Sequence, residues 1–86
     1  MYSVYVIKHI PSDEMYIGAT NDLKRRLSEH NNGNQTATHR IIGKWILVYA
    51  EVYKSKKDAC EREIRLKDHG RAKQELYKRI SESLKT

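Results

Sequence analysis

Residues 15–30 read Met15-Tyr16-Ile17-Gly18-Ala19-Thr20-Asn21-Asp22-Leu23-Lys24-Arg25-Arg26-Leu27-Ser28-Glu29-His30. Met15 to Ile17 predict a short strand, Gly18 a tight turn, and the rest a charged helix running to about His30. Gly18 gives the backbone freedom to turn and lets another backbone or a ligand come close. Thr20 or Asn21 can cap the helix, with Asp22 in its first turn, where the helix dipole favours negative charge. Leu23 and Leu27 form the apolar stripe. Arg26 and His30 are four apart and share a helical face. Arg26 is one step from Leu27, so it lies beside the stripe rather than opposite it. With Tyr16 at the strand end, a tyrosine, an arginine and a histidine can converge on one point, a set suited to work on a phosphate.

Upstream, Tyr2 to Ile7 alternate and are rich in Val, Ile and Tyr, which predicts a first strand. His9 to Glu14 holds the only proline, Pro11, followed by Ser12 and Asp13, and reads as a hairpin loop. The strand at Met15 then pairs back on the first. Downstream, Asn31-Asn32-Gly33-Asn34 stops the helix. A polar loop follows from Gln35 to Gly43, with Thr36, Thr38, His39 and Arg40. Trp45 to Val52 is nearly continuous in apolar residues, which predicts a strand covered on both faces. Ser55 can cap the next helix, with Asp58 as its capping-box partner. That helix carries Ala59, Cys60, Glu63, Ile64 and Leu66, and Gly70 breaks it. A last helix starts near Arg71 or Ala72 and runs toward Leu84, with Leu76, Tyr77, Ile80 and Leu84 at helical spacing. The order is β-β-α-β-α-α. The expected class is α/β of the α+β kind, a small three-stranded antiparallel sheet flanked by helices. Residues 1–86 form one domain with no repeat or linker.

A chain of 86 residues buries only about 60% of its unfolded surface, so its core is small. The tyrosines, Trp45 and the branched aliphatics must supply most of it. The formal net charge is +6. That surplus favours a polyanionic partner, a nucleic acid or an anionic membrane surface. No apolar run approaches the roughly 20 residues that cross a bilayer, so no membrane role is expected. The N-terminus lacks a signal-peptide charge pattern. Cys60 is the only cysteine, which fits a reducing compartment. A cytoplasmic monomer without a small-molecule cofactor is the expectation.

Glu63 is the most informative acid. It lies at i+4 from Ala59 and i−3 from Leu66, on the inward stripe. A lone inward carboxylate is costly unless it is paired or bound to a metal, so an ion pair with a nearby Arg or Lys and a metal site both remain open. Arg26 is either a solvated helix arginine or a two-pronged grip on phosphate oxygens. His30 is either a helix C-terminal histidine interacting with the dipole or part of a site. Tyr5 and Tyr16 are most simply core residues of paired strands, and a tyrosine with a pKa near 10 must be activated to act as a base. The histidines His9, His30, His39 and His69 and Cys60 show no CxxC or HxxxH spacing, which argues against zinc. There is no phosphate-binding glycine loop and no nucleophile elbow. Basic residues recur around the second and third helices, as a solvated face or a grip on a nucleic-acid backbone. The candidate nucleic-acid contacts are Lys24, Arg25, His39, Arg40, Arg65, Lys67, Arg71 and Lys73.

The sequence resembles the GIY-YIG nuclease superfamily, most closely its small stand-alone bacterial members. It is also similar to the N-terminal nuclease domain of the bacterial excision-repair enzyme UvrC. The match covers nearly the whole chain. Ser3-Val4-Tyr5 stands at the first signature, with Ser3 where the family has glycine, and Tyr16-Ile17-Gly18 is the second, intact. Arg26 falls ten residues after Tyr16, as the family's helix arginine does. His30 matches a histidine or tyrosine of relatives, and Glu63, in Ala59-Cys60-Glu61-Arg62-Glu63, matches the metal-binding glutamate. Ala19 stands where the repair-enzyme branch has a lysine, and the late asparagine of that branch is not evident after Gly70.

The resemblance implies a GIY-YIG endonuclease fold and metal-dependent hydrolysis of phosphodiester bonds, with Mg²⁺ or Mn²⁺ held by Glu63. It implies that Arg26 grips the scissile phosphate and that Tyr16 orients or deprotonates the attacking water. His30 would accept a proton from a tyrosine, and Tyr5 would hydrogen-bond water or support Tyr16. Tyr5, Tyr16, Arg26, His30 and Glu63 are therefore the candidate catalytic residues. The expected substrate is DNA rather than RNA, cut with low sequence specificity in repair, recombination or DNA processing. The competing classes are a nucleic-acid-binding module without turnover and a nuclease subunit that needs a partner.

Overall fold

Strand β1 spans Tyr2–Ile10, β2 Met15–Thr20, helix α1 Leu23–Asn31, β3 Lys44–Tyr53, α2 Lys56–Asp68 and α3 Gly70–Arg79. The computed structural model describes residues 1–10, 12–32, 44–68 and 70–85. Pro11, His39, Arg40, His69 and the rest of segment 33–43 lie outside the described residues. The fold is α+β, with the sheet order β2-β1-β3 and both pairings antiparallel.

The strand covered on both faces is β1, not β3. Val4 to His9 are six consecutive buried residues, and β1 runs on to Ile10 rather than ending at Ile7. In β3 burial alternates, with Leu47 41% and Val52 60% exposed. An apolar run records composition but not neighbours, and β3 lies at the edge of the sheet. The polar residues of β1 concealed its central place. Lys8 is buried because its ammonium donates to the Leu84 carbonyl (2.6 Å) and pairs with Asp13 (3.2 Å). Buried His9 hydrogen-bonds the Ser12 hydroxyl (2.6 Å).

Because strand side chains alternate, β1 feeds two cores. Val4 and Val6 pack with Ile17, Ala59, Leu66, Leu76 and Ile80 under α2 and α3. Tyr5 and Ile7 pack with Trp45, Tyr16, Leu23 and Leu27 under α1. Each fully buried Val, Leu or Ile among them contributes roughly 1.5–3 kcal/mol. The β1–β3 register shifts between Val6 and Ile7, which face Tyr49 and Leu47. Val48 is the extra residue, a bulge that increases local twist.

Gly18 makes no turn. It lies inside β2, directly opposite Tyr5. A Cβ built there would stand 2.4 Å from the Tyr5 hydroxyl oxygen. The glycine is a slot for the Tyr5 ring, and β2 continues to Thr20. The chain turns at Asn21 and Asp22 instead. Asp22, not Thr20 or Asn21, is the N-cap, its carboxylate accepting from the Arg25 N–H (3.1 Å). Thr20 turns its hydroxyl to the Asp22 N–H (3.0 Å). At the other end of α1, the Asn31 side chain accepts from the Trp45 N–H (2.8 Å) and donates to the Trp45 carbonyl (3.0 Å). The amide imitates a neighbouring strand and ties the end of α1 to the start of β3.

Ser55 caps α2, accepting from the Asp58 N–H at 3.4 Å. A second tie joins α2 to β3. Glu51 accepts from Tyr49, Tyr53 and the Arg62 guanidinium. Burial opposes its charge, but the Arg62, Tyr49 and Tyr53 hydrogen bonds hold the carboxyl below its usual range. Helix α3 stops at Arg79, short of the expected Leu84, and continues as turns closed by Leu84 N–H to the Ile80 carbonyl (3.1 Å).

Candidate active site

The pairing of β1 with β2 places Tyr5 opposite Gly18 and Ile7 opposite Tyr16. Tyr5 and Tyr16 are therefore diagonal neighbours on the α1 face, their ring centroids 6.4 Å apart. Helix α1 lies over that face on Leu23 and Leu27, and its 3.6-residue period brings Arg26 and His30 down beside them. His30 is 2% exposed. Its Nε2 is 2.9 Å from the Tyr5 hydroxyl, and its ring is 4.8 Å from that of Tyr16. Tyr16, Arg26 and His30, expected together from their spacing, lie together here, and Tyr5 joins them.

Electrostatics divide the two tyrosines. Tyr5 is 1% exposed. Burial, assisted by the neighbouring Tyr16, pushes its hydroxyl up to about 12 against the pull of the Arg26 guanidinium. Tyr5 is therefore a neutral phenol at physiological pH, a hydrogen-bond donor and not a base. Burial and then the charge of Arg26 push His30 below its usual range, against the attraction of Glu29. A neutral imidazole leaves Nε2 able to accept from Tyr5. Tyr16 is only half-buried, so it is the tyrosine with access to the outside.

Arg26 pairs with Glu29 at 3.4 Å. Its Nε is buried with no hydrogen-bond partner among the described residues. Arg26 also forms one wall of a cleft of about 270 Å³ lined by Ala19, Thr20, Arg25, Lys56 and Cys60. Among the described residues its walls carry three cations and no carboxylate.

Glu63 comes from α2 on the other side of β2. It is not as far inward as its spacing predicts, with a side chain 23% exposed and paired to Lys67 at 2.9 Å. Its charge still reaches Tyr5 and contributes to the upward push there. The Lys67 ammonium lies 5.3 Å from the Tyr16 ring centroid. So Glu63 faces the tyrosine cluster across the edge of the sheet. Among the described residues no three His, Cys, Asp or Glu side chains gather into a closed metal cage. One carboxylate suits a hard divalent ion that keeps water and substrate oxygens as its other ligands.

Over residues 1–81 the sequence matches the GIY-YIG catalytic domain. The chain belongs to the GIY-YIG family. It is 37% identical to a UPF0213 protein of Bacillus pumilus over 73 residues, 85% of this chain and 74% of that one. It is 37% identical to a UPF0213 protein of Halobacterium salinarum over 75 residues, 87% and 96% of the two chains. The solution NMR structure of a UPF0213 protein from Bacillus halodurans superposes with a TM-score of 0.56 at 28% identity, covering 93% of this chain and 85% of that one.

In this GIY-YIG domain the basic candidates separate into groups. Arg25 lies at the Arg26 cleft, and Lys24 is exposed on α1. Lys67 and Lys73 line a cleft with Tyr16 and Tyr77. Arg65 and Arg71 line a different cleft, with Ala72 and Glu75, and Arg71 pairs with Glu75 at 3.1 Å. One contributor to the site escaped sequence reading, and Lys67, expected there as a nucleic-acid contact, has a further place beside Glu63 and Tyr16. Asn31 fixes the end of α1 on which His30 rides, and only its asparagine amide signalled it. For that place of Lys67, the i,i+4 spacing from Glu63 was the available sign. Among the described residues no helix is long and apolar enough to cross a membrane.

The buried His30 ties stability to pH with a definite sign. Its folded pKa lies below its unfolded value of about 6.5. The unfolded chain then binds more protons as the pH falls below about 6.5, so stability present above that pH is lost on acidification. Thermal melts at about pH 7.5 and 5.5 should show a larger drop for the wild type than for His30→Gln, which cannot titrate. Equal drops would contradict the assignment.

Proposed function

We propose that this GIY-YIG domain is a metal-dependent endonuclease that hydrolyses phosphodiester bonds of DNA with low sequence specificity. Its setting would be DNA repair, recombination or processing in the cytoplasm. The observation that carries this reading is the convergence of Tyr5, Tyr16, Arg26 and His30 on one side of β2, with the Glu63 carboxylate facing them. The unpartnered Arg26 Nε and the cationic cleft beside it fit an anionic substrate.

In this reading the phosphate binds between α1 and α2. Arg26 holds a non-bridging oxygen and stabilises charge as it develops; one such donor contributes about 3 kcal/mol or more. Tyr16 reaches the open side and orients the attacking water or takes its proton. Tyr5 stays protonated, donates to His30 and holds that ring against Tyr16. When Tyr16 takes the water proton, its own hydroxyl proton passes to Tyr5, whose proton moves to Nε2 of neutral His30, so that Tyr5 remains a phenol. Glu63 would hold Mg²⁺ or Mn²⁺, which when bound stabilises the leaving oxygen. The scissile phosphorus–oxygen bond breaks as the water oxygen bonds to phosphorus. The positive charges at the Arg25 and Lys67–Lys73 clefts would bind flanking phosphates, an interaction that weakens steeply with salt.

The test is cleavage at low salt of single-stranded, duplex and flap DNA, with RNA as a control, in Mg²⁺, Mn²⁺ or EDTA. Cutting of DNA that EDTA abolishes is the expected result. Salt-sensitive binding without cutting in any metal would replace this reading with a binding module.

A further inference from the structure

Lys67 stands between two members of the site. Its Nζ is 2.9 Å from the Glu63 carboxylate and 5.3 Å from the Tyr16 ring centroid. Most i,i+4 pairs on helices face solvent at both ends and contribute little. Here the acid is the one that faces the tyrosine cluster, and its side chain is 23% exposed against 43% for the lysine. On its other side, Lys67 borders a cleft of about 230 Å³ with Tyr16, Lys73 and Tyr77. Among the described residues no acidic side chain lines that cleft. A cationic floor between aromatic rings suits a phosphate with its attached nucleoside.

We propose that Lys67 is the internal counter-ion of Glu63, competing with the divalent cation for the carboxylate, and that cation binding hands its ammonium to the cleft beside Tyr16 to receive a substrate phosphate. This rests on the nuclease reading above. The physical basis is short. The partly buried Glu63 carboxylate needs a positive partner, and without a metal Lys67 supplies it. A divalent ion on the same carboxylate repels the ammonium at close range. The flexible four-carbon stem of lysine lets the head swing away while its Cα stays fixed on α2. The head then moves toward Tyr16 and Lys73, so the cleft gains a cation when the metal arrives. Metal and substrate binding become coupled through one side chain.

The test needs no turnover. Mn²⁺ is titrated into the purified full chain without nucleic acid, and free Mn²⁺ is read from its electron paramagnetic resonance signal. Lys67→Met should bind Mn²⁺ on the order of fivefold more tightly than the wild type. Lys67→Arg, which keeps the charge, should stay within about twofold. In a second arm, a short labelled oligodeoxynucleotide is bound in Ca²⁺ or in EDTA. Lys67→Met should weaken binding about threefold or more in Ca²⁺ and much less in EDTA, where the wild-type lysine is engaged by Glu63. Lys67 is well exposed, so the variants should melt with the wild type. Equal or weaker Mn²⁺ binding by Lys67→Met, or an equal loss of oligonucleotide affinity in both buffers, overturns the proposal. Either result leaves the nuclease reading standing if the wild type cuts DNA. Absence of cutting removes the nuclease reading whatever Lys67 does to Mn²⁺ affinity.

Discussion

Arg26→Ala should lower the single-turnover cleavage rate at saturating DNA by about a hundredfold to a thousandfold, the cost of losing one well-placed donor to the transition state. The expectation rests on what surrounds the guanidinium. Its Nε is buried with no acceptor among the described residues, and its Glu29 pairing at 3.4 Å is loose. The guanidinium also interacts with the Tyr5 hydroxyl, which aims it at the tyrosine cluster. A part-buried pair of that length contributes on the order of 1 kcal/mol, so the variant should still fold. Arg26→Lys should recover only a small part of the rate, because an ammonium lacks the planar fork that grips two oxygens. A rate within about threefold of the wild type, measured on folded Arg26→Ala, would place the phosphate elsewhere.

The second large effect belongs to Gly18. Gly18→Ala puts a methyl group 2.4 Å from the Tyr5 hydroxyl oxygen and 2.6 Å from the ring carbon that bears it. The ring cannot retreat easily, since Tyr5 is 1% exposed and its hydroxyl is bonded to His30. Overpacking of this kind costs about 1–3 kcal/mol, and in a domain of this size each kcal/mol lowers the melting temperature by roughly 4–8 °C. The displaced Tyr5 would release His30 from its position against Tyr16, so cleavage should fall as well. Tyr5→Leu in the same chain should restore part of the stability and none of the activity. An unchanged melting temperature for Gly18→Ala would mean that β2 does not hold Tyr5 as described.

Both effects arise from the same stretch, and that stretch shows what could be read in advance. The element order and the α+β class were legible because each element carries its own period and its own punctuation. The Arg26–His30 face was legible because four residues make about one helical turn, whereas the Tyr5–Tyr16 diagonal depends on the strand register, which composition does not set. Gly18 was misread because a glycine signals a turn and a close approach by the same absence of a side chain. The two meanings separate only when Tyr5 is seen across the ladder. The cap of α1 was misplaced for a related reason. Thr20, Asn21 and Asp22 are all capable, and the length of β2 decides among them. The central strand was not legible from composition, since Lys8 and His9 look like surface residues until Leu84, Asp13 and Ser12 are found beside them. Glu63 was read as an inward acid that needs a partner. Lys67 is that partner, and the metal reading of Glu63 makes Lys67 its competitor.

Glu63 is the residue on which metal-dependent cleavage depends most directly in this reading. The decisive measurement is the single-turnover rate of DNA cleavage by the wild type and by Glu63→Gln, side by side in Mg²⁺, with DNA binding measured on the same samples. The wild type should cut in a metal-dependent manner and Glu63→Gln at a rate lower by about a hundredfold or more, with binding retained. Cutting by Glu63→Gln at the wild-type rate and with the same metal dependence would contradict this reading.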